Sequence, residues 1–232
     1  MTSRFELEWR GGAAEKHFRK LRPMDPEIPW GTLDPRKFPP VLVDRARISW
    51  TAIARSEYRA AAAFADVISA MLAAKAPLDL IGMAGDFIAD ELFHSELASR
   101  LAMEIGGGVG IQTDFDRLGV TPASSDTSAR ERANELVLRV ACISETLSGA
   151  MAVETMREVE HPLVLQIMER IARDEAKHTR LGWLYLEWAT EEMSDEERLR
   201  LGEVGKKELK MLSPLWMQRT SVVVDGVTTE GY

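Results

Sequence analysis

The chain contains a single cysteine, Cys142, among its 232 residues, which rules out an intrachain disulfide and a cysteine-built zinc ribbon. It is also short of positive charge. Twenty-nine lysines and arginines against 37 acids leave a net charge of −8, and no basic run offsets it. Nucleic acid is therefore an unexpected partner, because a phosphate binder needs a basic face. Long hydrophobic runs are missing too. The most apolar stretch, AAAAFADVISAMLAA (60–74), is short, carries Asp66 and reads as a buried helix, not a membrane span. The opening residues, MTSRFELEWR, lack the apolar core of a signal peptide. Together these absences point to a cytoplasmic protein without membrane contact, and the length suits one sizeable core.

Proline is scarce beyond the first 41 residues. Before that point Gly11, Gly12, Pro23, Pro26, Pro29, Pro35, Pro39 and Pro40 break the chain, so residues 1–41 read as an irregular arm over the surface of something else. Proline-free runs rich in alanine, leucine, glutamate and arginine then predict four helices, roughly 42–74, 79–105, 128–159 and 163–191. Ser194 and Glu197 resemble a capping box opening a fifth helix to about 212. The resulting organisation is an arm (1–41), a helical bundle (42–191) and an extra helix with a tail (192–232), whose SVVV stretch is compatible with extended or with disordered chain. Short first and third connections make two antiparallel hairpins, and the long middle connection, 106–126, is able to cross over between them. The fold class expected is all-α.

Each helix carries an apolar seam with the three-and-four spacing of a bundle core. The seams read Trp50, Ile53, Glu57, Ala60, Phe64; then Phe87, Glu91, His94, Leu97; then Leu138, Cys142, Glu145, Gly149, Ala152; then Ile171, Glu175, His178, Leu181, Tyr185. An acid interrupts every seam, and in two of them a histidine follows three residues later. The other acids nearby, Asp66, Asp86, Glu96, Glu154 and Glu169, fall off the seams and read as solvated. Four unpaired carboxylates in one core would cost more than a domain's whole stability of roughly 5–15 kcal/mol. The seams hold no lysine or arginine to pair them. Two divalent cations would balance four carboxylates, and two neutral imidazoles would complete the coordination.

Register supports this. Glu145 and Glu175 are each fifteen residues from a turn near 160, and Glu57 and Glu91 each seventeen from a turn near 74, so each pair faces across its hairpin. Glu154 would sit about 13 Å out of register at about 1.5 Å per residue. A lone Glu-x-x-His is expected by chance roughly 0.4 times in such a chain, but Asp-Glu-x-x-His twice, as DELFH and DEAKH, only about once in a few thousand.

In these residues the sequence resembles the ferritin-like di-iron carboxylate superfamily over about residues 42–190, a four-helix bundle of two hairpins joined by one long crossover, here followed by a fifth C-terminal helix. The resemblance implies that Glu57, Glu91, His94, Glu145, Glu175 and His178 hold two iron ions, with manganese in place of one iron also compatible. It further implies that Asp90 and Asp174 orient the histidines, each from the opposite helix. Cys142, Gly149 and Tyr185 are candidates to line the site, and no residue beyond the ligands is given a catalytic role. The activity implied is that of an oxygenase or oxidase acting on a small organic substrate, with dioxygen and an external electron donor as partners. The alternative is ferroxidase, iron-storage or peroxide-protection chemistry of the bacterioferritin or rubrerythrin type, although one cysteine cannot hold rubrerythrin's iron–sulfur module. A metal-free helical scaffold is the third reading. Small residues at the metal level (Ala54, Ala60, Ala61, Ser148, Gly149) could open a cavity or simply let helices approach. Many helical relatives form homodimers, a state compatible with this chain. His17 and His161 lie outside the constellation.

Overall fold

The computed structural model describes residues 2–120, 127–213, 223–224 and 227–228. The fold is all-α, with two small antiparallel ribbons attached. Among the described residues six α-helices follow in chain order: α1 (Gly12–Leu21), α2 (Pro40–Ala73), α3 (Leu78–Ile105), α4 (Ala129–Met156), α5 (Pro162–Thr190) and α6 (Asp195–Leu212). One ribbon pairs β1 (Thr2–Arg4) with β2 (Gln112–Asp114), tying the start of the chain to the long connection. The other pairs β3 (Val223–Val224) with β4 (Val227–Thr228), and the rest of the C-terminal segment lies outside the described residues.

Local chemistry sets the helix ends. Proline at the first position opens α2 and α5, where a missing N–H costs nothing. Ser128 and Glu131 form a reciprocal capping box at α4, while at α6 the Ser194 hydroxyl accepts the Glu197 N–H, one half of the box the sequence suggested, and the Glu197 carboxylate pairs with Arg200. Gly106, at φ 134°, ends α3 in a conformation open to glycine alone. Each of the four long helices touches two others, so they form a ring in the order α2, α3, α5, α4.

Two expectations need correction. The N-terminal arm is not irregular throughout: α1 occupies the proline-free span between Gly11 and Pro23, and Phe5 and Ile28 are buried among core residues of the bundle. Glu96 is not solvated but 3% exposed, held by Arg19 of α1 and by Arg100. The reason is shared: the arm covers a face of α3 that the bundle alone would leave to water.

Two apolar clusters fill the bundle. One contains Phe64, Met71, Phe87, Leu136, Leu181 and Tyr185; the other contains Trp50, Phe93, Leu97, Leu101, Leu163 and Ile167. By length and composition alone α4 could cross a membrane, with mean hydropathy 1.5 over its most apolar window, but the helix carries the buried Glu145.

Candidate metal centre

The polar layer begins with α4, which is not a uniform helix. Leu138–Ser144 is a π-helical segment, in which the Glu145 N–H reaches back five residues to the Val140 carbonyl. Such a segment inserts an extra residue per turn and rotates the residues after it about the helix axis. Leu138, at the start of that segment, is half-buried, packing against the core cluster and reaching toward Gly205 of α6, while Val137 and Ala141 are fully buried. Glu145 is delivered inward and is the one buried residue of Glu145–Met156.

Glu91 and His94 are placed by α3, Glu175 and His178 by α5, and Glu57 by α2. Their ligand atoms gather into two groups that could each hold a metal ion: Glu57, Glu91, His94 and Glu175 in one, and Glu91, Glu145, Glu175 and His178 in the other. Glu91 and Glu175 belong to both. His94 Nδ1 lies 3.4 Å from Glu175, 3.7 Å from Glu57 and 3.9 Å from Glu91. His178 Nδ1 lies 2.9 Å from Glu91, 3.4 Å from Glu145 and 3.7 Å from Glu175. The imidazoles are fully buried, and Glu57, with 14% of its side chain exposed, is the most accessible of the six.

Close as these atoms are, their alignment is poor for hydrogen bonding. Both Glu91 oxygens, Glu175 Oε2 and both Nδ1 atoms are buried with no hydrogen-bond partner among the described residues. Buried polar atoms are normally satisfied, so five orphans aimed at one another mark a space fit for a cation. Carboxylate and imidazole donors suit iron, manganese or zinc.

The outer edges of the two rings are satisfied. His94 Nε2 meets Asp174 Oδ2 at 3.3 Å, and His178 Nε2 meets Asp90 Oδ2 at 3.5 Å, each aspartate coming from the other histidine's helix. Arg170 Nε donates to Asp174 at 2.9 Å, and Arg22 Nε donates to Asp90 at 2.6 Å. With Nε2–H given to an aspartate, the Nδ1 lone pair points into the cluster, the orientation that metal ligation requires.

Charge in the cluster is in conflict without a cation. Burial pushes the Glu91 carboxyl up to about 8, helped by the charges of Glu57 and Glu175 and opposed by His178. Burial and the neighbouring Glu175 push Glu145 well above the carboxylate range. Burial disfavours both imidazolium ions, yet the surrounding carboxylates raise both histidines well above their ordinary value. Burial works to raise Asp174, but His94 and Arg170 hold it well below the usual range. Burial works to raise Glu175, but Glu145, His178 and His94 hold it below the usual range, and bound dications would displace the protons its neighbours retain.

Cys142 and Tyr185 belong to the apolar cluster that also contains Phe64 and Phe87. Cys142 is buried with its thiol pushed up to about 12 by burial, and its Sγ crowds Gly182 of α5. Tyr185 donates its hydroxyl to Asn134 Oδ1 at 3.0 Å. Gly149 is half-buried with open space where a side chain would point. Neither Cys142 nor Tyr185 belongs to the metal-binding groups. Ala54 and Ala61 are buried, Ala60 is half-buried and Ser148 is exposed. Sequence reasoning missed Arg22, Arg170, the π segment and the aromatic cover of His178, whose ring has Phe87 at 4.2 Å and Phe64 at 5.4 Å between centroids. Only Arg170 left a signal, one turn before Asp174 on the same helix. No protein-family model matches the chain, and no curated protein or solved structure matches it either.

Proposed function

We propose that the chain is a ferritin-like di-iron oxidoreductase, a cytoplasmic enzyme that uses dioxygen and an external electron donor to oxidise a small organic molecule. Glu57 and His94 would hold one iron, Glu145 and His178 the other, with Glu91 and Glu175 shared between them. The observation carrying this reading is that those two carboxylates belong to both donor groups. Two ferrous ions held there would supply electrons for the activation of dioxygen. Manganese at one position would use the same donors.

The chain's own residues have definable tasks. Asp174 and Asp90 accept the Nε2 protons of His94 and His178 and keep both Nδ1 atoms turned inward. Phe64 and Phe87 pack on His178 and exclude water from that side. Glu57, the most exposed donor, is the carboxylate best placed to shift when a small molecule enters. The burial of the other five donors supports organic oxidation over iron storage, since hydrated iron in transit needs an open polar route.

The test loads two Fe(II) per chain anaerobically and then admits oxygen, with and without excess iron. Organic oxidation predicts oxygen uptake that stops with the bound pair and is prolonged by a reductant and a suitable organic compound. Sustained turnover of excess iron into a ferric core would establish iron handling instead. Absence of metal in the purified protein together with failure of Fe(II) to bind would leave the metal-free scaffold.

A further inference from the structure

Arg22 follows α1 in the N-terminal arm, outside the bundle, yet it is 7% exposed. A buried guanidinium is costly unless its donors are used, and here they are. Nε meets Asp90 Oδ1 at 2.6 Å. Nη2 meets the Asp86 carbonyl at 2.7 Å and the Asp86 carboxylate at 2.8 Å, and Nη1 meets the Leu21 carbonyl at 2.9 Å. Asp90 spends one oxygen on Arg22 and turns the other, Oδ2, toward His178 Nε2 at 3.5 Å. The order of contacts is therefore Arg22, Asp90, His178, and on the inner edge the orphaned Nδ1.

The opposite histidine has the same order from different sources. Arg170, Asp174 and His94 make that chain of contacts, but Arg170 lies on α5, one turn from the aspartate it holds. Lys177, also on α5, gives Asp174 a second cation at 3.3 Å. Asp90 receives its cation from a segment 68 residues earlier. Apolar anchoring by Phe5 and Ile28, with Arg19 donating to Glu96 at 2.7 Å, already seats the arm on the bundle. Arg22 is thus free to do something other than dock.

We propose that Arg22 is a positioning residue for His178: it fixes Asp90, so that seating the arm completes one half of the metal centre. This rests on the dimetal reading. Without Arg22, Asp90 is free to rotate or take up water, and His178 loses the acceptor that holds its Nε2–H. The effect is confined to one metal position, because His94 takes its support from Asp174.

The test is an equilibrium titration with Co(II), which reports on each position through its visible spectrum and needs no oxygen chemistry. The wild type is expected to bind two ions. Arg22→Met should retain one at wild-type affinity and weaken the other by about 10–100-fold, the usual cost of losing an outer partner of a ligating histidine. Arg22→Lys should recover part of the loss, and combining Arg22→Met with Asp90→Asn should add little to either alone, as groups acting in series do. Arg19→Met, which weakens the arm's other anchor, should leave both positions unchanged. Unaltered binding of both ions by Arg22→Met, equal weakening of both, or the same loss in Arg19→Met would overturn the proposal. A wild type that fails to bind two Co(II) would instead sink the dimetal reading beneath it.

Discussion

His94 and His178 sit in matching surroundings, each with an aspartate from the other's helix on Nε2 and three carboxylates near Nδ1, but the two halves are held differently. The His94 half is built wholly from three of the long helices, α2, α3 and α5: a regular turn of α2 brings Glu57, and Arg170 with Lys177 secures Asp174. The His178 half depends on two additions, a π segment that turns Glu145 inward and an arm that brings Arg22. Equivalent donors can therefore be supported to different depths, and the half that needs additions should be the easier to disturb.

The shared carboxylates are the place to break both halves at once. Glu175→Ala or Glu91→Ala should abolish binding of both ions, whereas Glu57→Ala should cost one, as metal analysis after gel filtration would show. The metal-free form of Glu175→Ala should melt lower than the metal-free wild type, because Glu175 balances the protonated His94 and His178 beside it, which would be left buried without that partner. Asp174→Asn and Asp90→Asn separate the halves. Each should weaken its own ion by about 10–100-fold and leave the other, read by the same titration.

Gly182→Ala probes the π segment. An added Cβ would lie 2.7 Å from the Ala141 backbone and from Cys142 Sγ, so α4 must retreat from α5. Overpacking of this kind costs about 1–3 kcal/mol, and the retreat should loosen the Glu145 side while sparing His94. Calorimetry and metal titration together would show whether stability and one ion fall together. The smallest effect belongs to Tyr185→Phe. Asn134 Oδ1 would be left buried without its donor, at a cost of about 1–3 kcal/mol, with metal binding unchanged.

Legibility in the sequence divides along the same line. Glu57, Glu91, His94, Glu175 and His178 stand on regular helices, where period and hinge register carry the information. The inward turn of Asp90 and Asp174 is expected from their place beside the ligands. Glu145 joins the cluster from the third helix, as its register predicts, but from the end of a π segment that the helical period does not show. LRVACIS has no composition that marks a π segment, and Leu138 is only half-buried, lying between the core cluster and α6. Arg22 and the burial of Glu96 are beyond the reach of local pattern, because both depend on an arm folding back over α3 from far away in sequence. Helical periodicity describes what a helix shows its neighbours, but not which distant segment will become one.

The most direct test is anomalous X-ray diffraction at the iron edge from crystals loaded anaerobically with Fe(II). Two peaks inside the bundle are predicted, one bonded to His94 Nδ1 and Glu57, the other to His178 Nδ1 and Glu145, with Glu91 and Glu175 touching both. A single peak, peaks away from these donors, or none at full occupancy of soaked iron would contradict the account.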